Sequence, residues 1–136
     1  MSDSMHQLLN PKSWKPALGY SNGVAAEGRM VFVGGMVGWN TAQEFETDDF
    51  LGQVEQALRN IVTVLDEAGA RPEHLVRLTW YVVDKHEYLA DLRGLGQVYR
   101  AVLGRHFPAM TLVQVAALVE DRARVEIEAT AVIPHG

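Results

Sequence analysis

The sequence predicts one domain in which two amphipathic helices cover one face of a mixed β-sheet. Three observations carry that expectation. The 136 residues match the commonest size of a single domain, the segments read in the order β, β, α, β, α, β, β, and no linker, repeat or low-complexity stretch separates them. With 48% hydrophobic and 21% charged residues, the chain has enough apolar mass for one sizeable core, and residues 1–136 are read as one unit.

Residues 20–38, YSNGVAAEGRMVFVGGMVG, read as two strands around an Ala-Glu-Gly-Arg turn, because the β-rich run Met30–Val33 follows Gly28 closely. Gly34, Gly35 and Gly38 are expected to break the second strand. Their spacing invites a phosphate-loop reading, yet the following WNTAQEFET is no helix start and lacks a Gly-Lys-Ser/Thr signature. A turn or a close backbone approach is the better account.

The strongest helix is TDDFLGQVEQALRNIVTVLDEAGA, residues 47–70. Thr47, Asp48 and Asp49 are N-cap candidates. Val54, Ala57, Leu58, Ile61, Val64, Leu65 and Ala68 form one apolar face, and Gly69 is the expected stop. The next segment, HLVRLTWYVVD, is rich in β-branched and aromatic residues and reads as a central strand. Val76, Leu78, Trp80 and Val82 share one of its faces; Arg77, Thr79, Tyr81 and Val83 share the other. A second helix is expected from about Glu87 to Leu103, with Tyr88, Leu92, Leu95, Tyr99 and Val102 inward and Gly104 at its end.

From Phe107 to Val119 the chain carries no charged side chain, and it alternates like a strand after Pro108. The last strand, ARVEIEATAVI, points Val125, Ile127, Ala129, Ala131 and Ile133 one way and Glu126, Glu128 and Thr130 the other. The sheet face opposite the helices therefore mixes Glu126, Glu128, Arg77 and Thr79 with Val83 and Val132. Such a face is better understood against another subunit than against water, so an oligomer with sites between subunits is expected.

Composition excludes several chemistries. The absence of cysteine removes disulfides, thiolate nucleophiles and sulfur metal sites. Serine occurs only at Ser2, Ser4, Ser13 and Ser21, without a nucleophile-elbow sequence. The histidines, His6, His74, His86, His106 and His135, lack metal-ligand spacing and read as surface or helix-end residues. A net charge of −5 with dispersed arginines argues against nucleic acid. Arg122 and Arg124, the tightest basic pair, read as part of a solvated, acid-flanked turn. No apolar run approaches the roughly 20 residues of a membrane span, and MSDSMHQLLNPKSW lacks the marks of a secretory signal. A cytoplasmic protein without a membrane partner is the expectation.

Taken together, Tyr20-Ser21, the strand MVFVGG, the helix QVEQALRNIVTVLDEAGA, the strand LVRLTWYVVD, the turn Phe107-Pro108-Ala109 and the terminal VEIEATAV resemble one family over nearly the whole chain. It is the reactive intermediate deaminase family, also called YjgF/YER057c/UK114 or L-PSP. The resemblance implies a chorismate-mutase-like α+β fold and a homotrimer with three clefts at subunit interfaces. For the archetypal branch it also implies hydrolysis of enamines and imines to ketones and ammonia. The RNA cleavage suggested by the family's older name fits poorly with the acidic charge and sparse lysines.

The resemblance also maps a site onto this chain. Tyr20 and Glu126 match the family's pocket tyrosine and the glutamate placed to hold the attacking water, and Thr111 matches a small hydroxyl residue. Met110 stands where the archetypal deaminases carry an arginine that clamps the substrate carboxylate. Gly34-Gly35-Met36 replaces a Ser-Gly-Gln, Gly96 corresponds to an asparagine, and one extra residue lies between Leu118 and Glu126. A charge-assisted contact to a carboxylate contributes on the order of 1.5–3 kcal/mol, which methionine does not supply.

Met110 therefore reads either as an apolar wall for a neutral substrate portion or as core filling. Glu126 reads as water-orienting or as an ion-pair partner, for instance of Arg77. Tyr20 closes a pocket or packs, while Glu128 and Trp39 read as structural, with Trp39 in a loop that could reach over a cleft. The implied ligand is a small molecule. Imine hydrolysis needs a positioned water and a proton-transfer group, with no metal or cofactor expected. A binding or regulatory trimer that lost the chemistry is the alternative from another class.

Overall fold

The computed structural model describes residues 5–135. Its main sheet has four strands: β3 (Arg29–Val37), β4 (Leu75–Val82), β5 (Ala109–Gln114) and β6 (Val125–Ile133), in the order β3-β6-β4-β5. β6 runs antiparallel to both its neighbours, and β4 and β5 are parallel. A small second sheet pairs β1 (Gln7–Leu8) with β2 (Val24–Ala25). The helices are α1 (Phe50–Glu67), α2 (Lys85–Ala90) and α3 (Leu92–Leu103), and a 3-10 turn spans Pro72–His74. The mixed sheet with helices on one face bears out the α+β expectation.

Helix α1 forms where its periodicity placed it. The Asp49 carboxylate accepts from Gly52 N at 2.9 Å, satisfying one of the amides exposed at a helix start. Gly69 follows the last turn at φ 73°, and the amides of Gly69 and Ala70 return to the carbonyls of Asp66 and Leu65. Val54, Ala57, Leu58, Ile61 and Leu65 are fully buried against Leu78, Trp80, Val82, Val125, Ile127 and Ala131. Leu95, Tyr99 and Leu103 of α3 complete this core.

Several expectations need correction. The strand at residues 24–25 does not form a hairpin with β3; it pairs with β1, a two-residue strand too short to leave a periodic signal. Gly34 and Gly35 do not end β3, which continues to Val37 across an irregularity between Val33 and Met36. A register shift between Leu75 and Arg77 puts Leu75, in place of Val76, into the core. The second helix is two helices, because the Asp91 carboxylate accepts from Gly94 N and starts α3 afresh. Leu92 at that break is 54% exposed, and Leu103 takes the buried place expected of Val102. The uncharged stretch leaves the sheet after Gln114.

His6 is buried, contrary to the surface reading, and His74 is also buried at the end of the 3-10 turn. His74 Nδ1 accepts from Arg71 N at 2.9 Å, and His6 Nε2 lies 3.1 Å from the His74 carbonyl. Arg122 and Arg124 are anchored as well as solvated. Arg122 bonds Asp48 and the Phe45 carbonyl, and Arg124 bonds Glu87 at 2.8 Å. The buried Gln53 ties both surrounding loops to α1, donating to the carbonyls of Thr47 and Arg122 and accepting from Arg124 N.

Candidate functional site

The pairing register sorts the expected site residues onto two faces of the sheet. Arg77, Thr79 and Tyr81 of β4 lie opposite Thr130, Glu128 and Glu126 of β6, so these side chains share the face away from the helices. Thr111 pairs with Thr79 and joins them. Met110 pairs with the buried Leu78 and therefore points to the helix side. Within one chain, Glu126 and Met110 are on opposite sides of the sheet.

On the helix side, a cavity of about 440 Å³ lies among α2, α3 and the start of β5. Trp80, Tyr88, Tyr99, Phe107 and Met110 supply most of its character, with Tyr20 and Leu92 among the other lining residues. The Tyr99 and Phe107 rings stack with centroids 5.5 Å apart, and the Tyr88 ring meets Trp80 edge-on at 6.2 Å. Tyr99 donates to the His106 carbonyl at 2.5 Å, and burial holds its phenol well above the ordinary tyrosine range. Burial also raises Tyr88. Both phenols stay neutral at physiological pH, and among the described lining residues Arg100 is the one charged side chain in an otherwise aromatic and apolar chamber around Met110.

Tyr20 reaches this chamber because its neighbour is pinned. Ser21 is buried, its amide donates to the Pro108 carbonyl and its Oγ to the Phe107 carbonyl at 2.6 Å. The same residue forms an isolated bridge to Ala109. The conformation of residues 20–21 is thus fixed against the turn that begins β5, and the Tyr20 ring, 41% exposed, stands at the cavity wall.

The opposite face holds the carboxylates. Glu126 and Glu128 border a depression of about 290 Å³ with Tyr81 and residues of the loop after β5. Tyr81 donates to Glu128 at 2.7 Å, and this bond raises the phenol's pKa ahead of burial and the nearby charges of Glu128 and Glu126. Among the described residues, the Glu126 carboxylate has no hydrogen-bond or ion-pair partner. Arg77 does not pair with it, since Glu126 lies opposite Tyr81, four residues farther along β4, about 13 Å at strand rise. Glu126 instead lies against Gly35, where an added Cβ would overlap its carboxylate. Gly34 is nearby with Arg77, Thr79 and Glu128 in a further recess.

Met36 and Trp39 join neither group. Met36 packs on the core, and Trp39 contacts Phe45 at 5.8 Å in the loop after β3, its carbonyl held by Asn60. Trp80 and Tyr99 read as packing residues from their spacing, and Arg100 carries no signal of its own in the sequence, yet all three line the cavity. Aromatic residues at helix and strand spacing read as packing, and no local signal separates a packed ring from one that borders a void. Among the described residues, no group of three His, Asp or Glu side chains could hold a metal, and no helix is long and apolar enough to cross a membrane.

Relatives agree with this architecture. The chain is 33% identical over 135 residues to Protein DfrA of Myxococcus xanthus, covering 95% of this chain and 94% of that protein. It is 31% identical over 134 residues to a 2-iminobutanoate/2-iminopropanoate deaminase of Capra hircus, covering 97% and 93%. A crystal structure of YyfB from Yersinia pestis, a Rid-family protein of unknown function, superposes with a TM-score of 0.84 at 34% identity, covering 94% of this chain and 98% of that one. Since the family model described as Endoribonuclease L-PSP matches residues 11–133 as well, the chain belongs to the L-PSP family, the YjgF/YER057c/UK114 or reactive intermediate deaminase family.

Proposed function

We propose that this protein hydrolyses an enamine or imine lacking the usual α-carboxylate, in clefts between the subunits of a homotrimer. The observation that carries the reading is the position of Met110, in the wall of an aromatic chamber formed by Trp80, Tyr88, Tyr99 and Phe107. An α-carboxylate placed there would lose its hydration without gaining a cation beside Met110. A neutral or aromatic substituent would gain apolar contact. Deaminase relatives support the reaction class.

The two-faced arrangement favours a site shared between copies. Glu126 of one subunit and the Tyr20–Met110 chamber of another supply complementary parts: a carboxylate for water and a pocket for the substrate body. In the reaction, water adds to the C=N carbon while Glu126 accepts its proton. Glu126 passes that proton to nitrogen to complete the carbinolamine, whose hydroxyl proton then moves to the same nitrogen as the C–N bond breaks, giving one carbonyl product and one ammonia. Tyr20 closes the pocket or donates a hydrogen bond to the leaving nitrogen.

Ammonia release from imines generated in situ tests this reading, comparing α-imino acids with imines of similar size that lack the carboxylate. The neutral set should be preferred, and Glu126→Gln should lower turnover by about 100-fold or more. Met110→Arg should move the preference toward α-imino acids by roughly ten-fold or more. Saturable ligand binding without turnover, unrecovered in Met110→Arg, would support a binding module instead; the apolar chamber serves that function equally well.

A further inference from the structure

Helix α3 carries a cation at the edge of the same chamber. Arg100 lines it together with Gly96, one helical turn earlier. The Arg100 guanidinium occupies the space over Gly96: a Cβ built there would stand 2.9 Å from Arg100 Nη1. Among the described residues, no carboxylate forms an ion pair with Arg100. The cavity thus has an apolar aromatic body, and its nearest unpaired charge lies on the helix wall instead of on β5.

Trp80 is 1% exposed, lines the chamber, and its indole Nε1–H has no hydrogen-bond partner among the described residues. A buried donor left unpaired is costly. That nitrogen is itself buried, so a ligand in the chamber meets the Trp80 ring and not its N–H. Arg100 also lies in the last turn of α3, where a cation complements the helix dipole. That role accounts for charge at this position but not for the glycine that leaves room for the guanidinium over the cavity.

We propose that Arg100 is a specificity-determining residue that binds an anionic group carried by the substrate away from its C=N carbon, while the Trp80–Tyr88–Tyr99–Phe107–Met110 chamber holds an aromatic or apolar midsection. The proposal rests on the preceding reading that this chamber receives the substrate. Its ligand class is an aryl or acyl chain with a terminal carboxylate or phosphate. Gly96 is a positioning residue, because any side chain there displaces the guanidinium.

The probes are 3-phenylpropanoate and its uncharged amide, near-isosteres differing in charge. Binding to the full-length protein is measured by calorimetry, with wild type, Arg100→Gln and Gly96→Ala, and thermal melts check folding. Wild type should bind the carboxylate at least about ten-fold more tightly than the amide, as one charge-assisted contact supplies. Arg100→Gln should abolish that preference by weakening carboxylate binding at least about ten-fold more than amide binding, and Gly96→Ala should reduce it with the charge retained. Equal affinities in wild type, or a preference surviving Arg100→Gln, would overturn the proposal while amide binding upheld the chamber. Binding of neither probe would overturn both. A change in melting temperature without a change in preference would assign Arg100 to the helix dipole and overturn its role in recognition.

Discussion

At Gly35 one missing methyl group decides where a carboxylate can lie. The strand passes so close to Glu126 that a Cβ would overlap the carboxylate, so Gly35→Ala must move one of the two. The backbone at Gly35 does not require a positive φ, and the substitution therefore acts through displacement more than strain. Turnover on a neutral imine should fall by about ten-fold or more while the melting temperature changes little. An unchanged rate with an intact fold would remove Glu126 from the water-orienting role. Met110 was legible as a substitution within a family pattern, but its placement was not: pairing with Leu78 turns it to the helix side, where it packs against the core and also lines the cavity.

Among the elements, the segments with one dominant period were the ones read correctly. Helix α1 has a continuous buried face and both its caps in the sequence. The α2–α3 break was missed because apolar spacing continues through it, and an Asp91 side chain bonding Gly94 N outweighs that continuity. The 3-10 turn at Pro72–His74 makes a further prediction. Burial lowers the His74 pKa, opposed by Glu73 and reinforced by His6 and Arg71. Its folded pKa thus lies below the ordinary value near 6.5, so its contribution is present above that pH and lost as pH falls through the folded value. Protonation also removes the acceptor for Arg71 N. The melting temperature should fall by roughly a few degrees between about pH 7 and pH 5, and His74→Gln should lessen the fall. An equal fall in both proteins would mean that other groups govern it.

For the whole molecule, the open sheet face presents exposed apolar side chains. Phe32 is 70% and Met30 57% exposed, directly opposite Thr130 and Val132. Large apolar side chains beside Arg77, Glu128 and Thr79 form a face suited to burial between copies. Sedimentation should give a trimer for wild type, and Phe32→Glu should shift it toward monomer with loss of ammonia release. A wild-type monomer that still turns over neutral imines would rule out the shared cleft, because Glu126 and Met110 remain on opposite faces of one chain.

The sequence by itself determined the family, the main helix and the central strands. These are properties of period and local pattern, which each segment carries independently. The tertiary structure decided which side of the sheet each site residue occupies, that Arg100 fills the space over Gly96, and that Trp80 borders a cavity with its N–H unpaired. The first and last of these depend on register and on atoms from distant segments meeting, and a one-residue slip in strand pairing reverses the side of the sheet without changing any local pattern.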